Sequence, residues 1–263
     1  MRKRGHFCFL WLAAVCAVAH GFASTPEVDV ADLLRRATEA ERRHDPEAAL
    51  DFYRQLAERR PDDAFILQKV AQQISDAVHL DTRAAAPIRQ ARVREALGFA
   101  RRAAELDPAS AVNQLSLAVL YARLAVDASA SEKVEYARLI HRHAEAALAL
   151  DPGYAWACHI LGRWHLEMEA LGTTRRVVAR LLFGDLPRGS RAEGLRLLAR
   201  AVELEPDSVV HRVELGIALG ELGQPEEARE QLSAALAAPA STLHDGPARV
   251  RAEAALQRLN GRR

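Results

Sequence analysis

The chain of 263 residues carries 36 basic and 35 acidic side chains, 5% aromatics and three cysteines. So balanced a charge provides no field to recruit nucleic acid or an anionic membrane. The length is ample for a core that holds by packing rather than by cross-links.

Residues 1–23 read as a secretory signal peptide. Arg2, Lys3 and Arg4 form a basic start, residues 7–19 an apolar run of 13, and Gly21-Phe22-Ala23 a small-residue cleavage site. The run falls short of the ~20 residues that span a bilayer, so cleavage near Ala23 is expected ahead of retention as an anchor. Cys16 follows Val15, where a lipoprotein signal wants Gly, Ala or Ser, and this argues against lipidation. The pattern predicts a bacterial exported protein, periplasmic or extracellular. Cleavage would turn 36 basic against 35 acidic groups into 33 against 35 and leave Cys158 as the one cysteine. A single cysteine closes no internal disulfide in an oxidising compartment.

Residues 24–263 read as one all-α domain. Ala, Leu, Arg and Glu dominate, and apolar residues recur at three- and four-residue spacing. The breaks come as repeated phrases: ERRPDDA at 58–64, ELDPASA at 105–111, ALDPGYA at 149–155 and ELEPDSV at 203–209. Each is a helix end followed by Pro and a short polar turn that caps the next helix. Pro61, Pro108, Pro152 and Pro206 stand 47, 44 and 54 residues apart. These spacings equal a tetratricopeptide repeat of about 34 residues plus an insertion. Such a repeat is a helix pair with small side chains at positions 8, 20 and 27 and large ones at 4, 7, 11 and 24.

Five units follow in chain order: 30–63, 64–110, 111–154, 155–208 and 209–242, with a capping helix at 246–260. The first shows Leu33, Ala37, Ala49, Tyr53, Leu56 and Pro61, with Arg36 and Ala40 as weak matches. The second shows Leu67, Val70, Ala71 and Ile74, then Ala96, Ala100 and Ala103. The third shows Leu117, Ala118 and Tyr121, then Ala144 and Ala147; insertions between the two helices bring both into phase. The fifth fits without gaps, with Leu215, Gly216, Leu219, Ala228, Leu232 and Ala235, although Arg212 departs at position 4 and Pro239 comes one residue early. The expected fold is a right-handed α-solenoid of about five helix pairs with a terminal cap.

The fourth unit contains YAWACHILGRWHLEMEALG at 154–172, which gathers Cys158, His159, His165, Glu167 and Glu169. Cys158, His165 and Glu169 share a helical stripe, but seven residues at ~1.5 Å each put Cys158 about 10 Å from His165. Zinc ligands with bonds of ~2.0–2.3 Å cannot be that far apart. In repeat register Cys158, Leu161, Gly162 and His165 fall at positions 4, 7, 8 and 11. These four, with Gly216 and Ala228, are expected to be structural repeat positions.

His159-Ile160-Leu161-Gly162-Arg163-Trp164, then Leu182-Phe183-Gly184, Pro187, Ser190 and the helix into Glu205-Pro206 resemble the regulator of microtubule dynamics family. The resemblance covers roughly the C-terminal two thirds and implies an α-helical tetratricopeptide domain. Animal members are linked to microtubules and organelle contact sites, one of them with phospholipid binding. No catalytic residues transfer. For an exported bacterial protein the fold and the idea of a hydrophobic groove carry over, and the cytoskeletal role does not.

The sequence contains no GxxxxGK[ST], GxSxG or HExxH, so no enzyme activity, metal or cofactor is expected. His141 and His143, two apart, point to opposite sides of a helix and read as solvated or satisfied. Asp62-Asp63 and Glu226-Glu227 sit at helix starts, where carboxylates favour the dipole. Binding is expected on the concave face formed by each unit's first helix. Its lining would be Leu115 and Val119 from the third unit, Trp156, His159, Arg163 and Leu166 from the fourth, and Val213 and Ile217 from the fifth. An apolar face of that size usually binds something. The second unit turns the groove polar with Gln68, Gln72, Ser75 and Asp76 around Phe65. Alternatively, inserted segments or the terminal helix fill the groove as ordinary core. The insertion at 172–191 pairs Val177, Val178, Leu181 and Leu182 with Arg175, Arg176 and Arg180. It packs over its own repeat or presents a basic amphipathic surface to a partner or membrane. Two functions follow: a scaffold that docks a helix or extended segment of another exported protein, or a carrier of lipid or another hydrophobic ligand in the same groove.

Overall fold

The computed structural model describes residues 29–172, 181, 182, 184 and 186–261. The expected leader and Arg175, Arg176, Val177, Val178 and Arg180 of the insertion lie outside the described residues. Among the described residues there are eleven helices and no strand. They run as α1 (Val30–Arg42), α2 (Pro46–Arg59), α3 (Ala64–Leu80), α4 (Ala86–Leu106), α5 (Ala111–Val126), α6 (Ala130–Leu150), α7 (Ala155–Ala170), α8 (Arg191–Leu204), α9 (Val209–Glu221), α10 (Pro225–Ala237) and α11 (Asp245–Asn260). Odd and even helices pair in order, neighbouring pairs stack, and α11 packs on the last pair. The chain is a right-handed α-solenoid of five tetratricopeptide-like pairs with a C-terminal capping helix.

The punctuation acts through caps. Asp29, Asp45, Asp63, Ser110, Ser129, Ser190 and Ser208 each accept a hydrogen bond from a first-turn backbone N–H. Each such cap contributes about 1 kcal/mol. Ser129 and Glu132 form a reciprocal capping box. Pro46 and Pro225 open their helices where a missing N–H costs nothing. The insertions of the second and third units lengthen helices: α4 and α6 run 21 residues against 14 for α2 and 13 for α10. That difference is about two helical turns.

Helices nest where side chains are small. Ala118, Ala144, Ala147 and Ala228 have no exposed surface. A Cβ on Gly162 would stand 3.0 Å from both the Gly194 carbonyl oxygen and Leu198 Cγ, so α7 and α8 touch nearly backbone to backbone. At the α9–α10 crossing a Cβ on Gly216 would come within 2.7 Å of Leu232 Cγ. Cys158 is buried, and burial pushes its thiol up. Trp164 donates from Nε1 to the Ala137 carbonyl at 2.7 Å and ties α7 to α6. Asn113 spends its side-chain amide on the Ala103 and Asp107 carbonyls at the end of α4, at 3.2 and 3.0 Å. Asn113→Leu removes one of the two donors at each carbonyl; both still accept from the Asp107 and Ser110 N–H groups, and urea unfolding is expected to register a loss of about 0.5–1.5 kcal/mol.

Of the remaining histidines, His141 and His143 are partnered, whereas His165 Nδ1 is buried with no hydrogen-bond partner among the described residues. His141 meets Glu145 at 3.1 Å and His143 meets Gln114 at 2.9 Å. His165 is half-buried beside the Trp164 and His141 rings. Asp63 caps α3, and Glu226 and Glu227 occupy the first turn of α10.

Candidate functional site

Polar side chains join the first helices in two pairs, α3 to α5 and α7 to α9, although the surrounding core is aliphatic. Gln68 Nε2 donates to Ser116 Oγ at 3.2 Å and Arg123 Nε to Ser75 Oγ at 2.6 Å, linking α3 to α5. Between α7 and α9, Arg163 pairs with Glu214 at 3.2 Å. His159 and His211 meet there Nδ1 to Nδ1 at 3.1 Å. His211 Nε2 lies 3.2 Å from Glu205. An ionised carboxylate only accepts, so Nε2 carries the proton, and Nδ1 of His211 accepts from His159. The Trp156 ring sits 5.3 Å from His159 and 4.7 Å from His211.

The chain after the fifth pair returns across this face. Asp245 accepts from the Ser241 and Thr242 N–H groups at 2.7 and 2.8 Å and so folds the turn ahead of α11. That turn carries His244 to α3. Its ring lies 4.9 Å from His79 and 6.1 Å from Trp156, and its Nε2 lies 3.4 Å from Asp76. From α11, Arg251 reaches Glu214 at 2.9 Å, so one largely buried carboxylate binds two guanidinium groups. Burial, with Arg123 next, depresses His79 to about 4, and burial depresses His211 to about 4. Burial and the neighbouring His211 take His159 well below the usual histidine range. All three are neutral near pH 7. His159 and His211 hydrogen-bond to each other, and all three lie against neighbouring rings without adding charge.

The eight residues expected to line a groove fall into two groups. Leu115, His159 and Val213 are buried; Val119, Trp156, Arg163, Leu166 and Ile217 are half-buried. Val213 and Ile217 pack with Ala248, Ala252 and Ala255 of α11. Leu166 packs with Leu198, Leu215 and Ala218 between units. Trp156, His159 and Arg163 do come together, around His211 and Glu214. The open apolar surface lies at position 2 of the second and third units, where Phe65 is 54% and Val112 43% exposed. His79, Asp76, Glu214, His244 and Arg251 were not legible as site residues. Asp76 was visible only as a polar interruption, and His244 lies beyond the last repeat, where no periodicity places it.

Ser75 is engaged by Arg123, and each of the buried histidines has its partner. Among the described residues no group of three or more His, Cys, Asp or Glu is placed to hold a metal ion. No described helix is long and apolar enough to cross a membrane.

Stacked helix pairs with small-residue crossings define a tetratricopeptide-type solenoid. Its backbone is similar to that of a thermophilic tetratricopeptide protein of Thermus thermophilus, with TM-score 0.62 and 20% identity, covering 87% of this chain and 100% of that one. The chain belongs to the family described as regulator of microtubule dynamics protein 1-3, whose model matches residues 29–260. It is 27% identical over 193 residues to regulator of microtubule dynamics protein 1 of Mus musculus, covering 73% of this chain and 60% of the relative. It is 30% identical over 129 residues to protein 3 of Xenopus laevis, covering 49% of this chain and 28% of that one. The matched stretch thus spans 60% or less of these relatives.

Proposed function

We propose that the protein is a non-enzymatic scaffold that works outside the cytoplasm and docks a segment of another protein in the groove of its first-helix face. The observation that carries this is the row formed by Phe65, Val112 and Trp156. They hold the same repeat position on successive first helices, and the first two are open to solvent. An exposed aromatic and an exposed valine in register, with a half-buried indole next to them, suit apolar anchors of a peptide. The polar seam running along the same helices favours a peptide over an acyl chain. A peptide backbone brings donors and acceptors that need partners, and Gln72, half-buried between Gln68 and Asp76, lies along that path. An acyl chain gains nothing from amide, carboxylate and imidazole neighbours.

The test is co-purification from host extract with Phe65→Asp, Val112→Asp and Ile88→Asp. Ile88 is 57% exposed on the second helix of its unit and serves as the control. Since all three side chains are exposed, helical circular dichroism is expected to stay unchanged. Phe65→Asp and Val112→Asp are expected to lose a partner that Ile88→Asp keeps. A partner retained by both inner-face variants, or lost equally with Ile88→Asp, rules the surface out.

A further inference from the structure

A cleft of about 390 Å³ opens where the ends of α3 and α5 meet the start of α4. Its walls are Val78, Val93 and Val126, with Thr82 and Gln90 as neutral polar groups and Arg123 in its lining. The volume is at the small end of the range for sites that enclose a ligand, ~300–1,000 Å³.

The cleft sets Arg89 and Arg123 against Asp81 and Asp127. Arg89 donates to the Ala84 carbonyl and pairs with Asp127 at 2.8 Å. Asp81 accepts from the backbone N–H groups of Arg83 and Ala84. Arg123 is largely buried, and its Nε donates to Ser75. A guanidinium has five N–H donors. The four on the two terminal nitrogens of Arg123 meet no acceptor among the described residues. Asp76 acts on Arg123 through its charge but forms no ion pair with it, and faces His244 instead. Burial accordingly lowers the affinity of Arg123 for its proton, and Asp76 offsets part of that effect. With Nε held by Ser75 and no Arg123 nitrogen sealed from solvent without a partner, this edge stands open to the cleft, where an oxygen-bearing anion can accept from it.

We propose that Arg123 binds a carboxylate of the partner segment, either its chain terminus or an Asp or Glu side chain, in this cleft. The proposal rests on the scaffold reading above. Two parallel oxygens match the free guanidinium edge. With Asp76, Asp81 and Asp127 near Arg123 there is no surplus of positive charge, so a dianionic phosphate is repelled more strongly than a monoanion. The valines accept the aliphatic carbon that carries the carboxylate. Arg123 lies eleven residues after Val112 on α5, so both return to one side of the helix, about 16 Å apart. An extended chain covers that distance in about five residues. The docked segment therefore carries its apolar anchor about five residues from its carboxylate.

The arginine Nε–Hε region of the ¹⁵N–¹H spectrum of the full chain tests this, with the Arg123 signal assigned by its loss in Arg123→Lys. N-acetylvaline is expected to shift that signal with saturation in the range of about 1 mM, whereas N-acetylvalinamide and inorganic phosphate do not. In Arg123→Gln the backbone shifts around the cleft are expected to weaken at least tenfold, with helicity unchanged. Val126→Glu, at a side chain 69% exposed on the rim, is expected to weaken binding without touching the fold. Hexapeptides with leucine first, ending in a free carboxylate or in an amidated glutamate, separate the chain-terminal source from the side-chain source. An equal response to acid and amide, or undiminished binding in Arg123→Gln, overturns the proposal. If carboxylates fail to bind while Val112→Asp still loses its partner, the cleft falls and the scaffold stands. If carboxylates bind and both inner-face variants keep their partner, the scaffold falls alone.

Discussion

Gly162→Ala is expected to lower stability by about 1–2 kcal/mol, and Gly162→Val by more, although alanine is the better helix former. Two effects of opposite sign compete. Replacing a mid-helix glycine by alanine gains about 0.5–1 kcal/mol from the unfolded chain. Inserting a carbon into a packed contact costs about 1–3 kcal/mol. At Gly162 the new carbon meets the Gly194 carbonyl oxygen at 3.0 Å, and a backbone atom inside a second helix cannot swing aside. The crossing is reciprocal, because a Cβ on Gly194 would meet the Gly162 oxygen at 3.0 Å and Leu166 Cγ at 2.7 Å. Gly98 supplies the matched control. It lies inside α4 with nothing within 4 Å of a Cβ, so Gly98→Ala is expected to stabilise by about 0.5–1 kcal/mol. Urea unfolding of both variants reads the sign directly. If both changes stabilise, α7 and α8 are not in near-backbone contact. In a solenoid each unit leans on its neighbours, so widening this crossing also loosens the fourth unit against the fifth.

Those crossings were legible in the sequence because they recur in phase. Gly162 and Gly216 occupy the same repeat position, and the capping phrases before α3, α5 and α9 announce helix starts with Asp63, Ser110 and Ser208. Gly194, the partner of Gly162, was not legible: the insertion at 172–191 separates the two helices and hides the register of the second. The repeat register places the insertions between the two helices of a unit, yet in the second and third units they continue α4 and α6, because Arg, Glu, Ala and Leu extend a helix as readily as they start one. The site was read less well than the fold for a related reason. Periodicity says which side of a helix a residue takes, and it says nothing about what later covers that side. Val213 and Ile217 lie under α11, and His159 lies against His211. Both coverings come from contacts more than thirty residues away in sequence.

Acidification from pH 6.5 to 4 is expected to destabilise the protein by at least about 3 kcal/mol, through histidines and ahead of the carboxylates. His211 has no exposed surface, and burial holds it neutral down to about pH 4. In the unfolded chain the same ring takes its proton near pH 6.5. Over that window the unfolded state therefore binds the proton that the folded state refuses. Stability, complete above pH 6.5, falls by about 1.4 kcal/mol per pH unit for each such histidine. His159, held well below the usual range by burial and the neighbouring His211, adds to the slope. His79 and His143, each depressed to about 4 mainly by burial, act in the same direction. Solvent screens these two half-buried rings, so their shares are smaller. Asp32, Glu132 and Glu193 are held below the usual carboxylate range, chiefly by hydrogen bonds from Arg35, Ser129 and Arg196 respectively, and their loss belongs to lower pH. The geometry explains why the folded state refuses the proton. His211 accepts from His159 through Nδ1 because its other nitrogen faces Glu205, and a proton placed on Nδ1 removes that acceptor and sets two donors 3.1 Å apart. His211→Gln keeps a hydrogen-bonding side chain that does not titrate. Urea unfolding at pH 7, 6, 5 and 4 is expected to show the slope in the variant reduced by about one proton. An unchanged slope would mean that the pair takes up protons in the folded state. Since His159 and His211 join the fourth unit to the fifth, and His79 and His244 join α3 to the turn before α11, acid acts first where the C-terminal segment closes on the first-helix face.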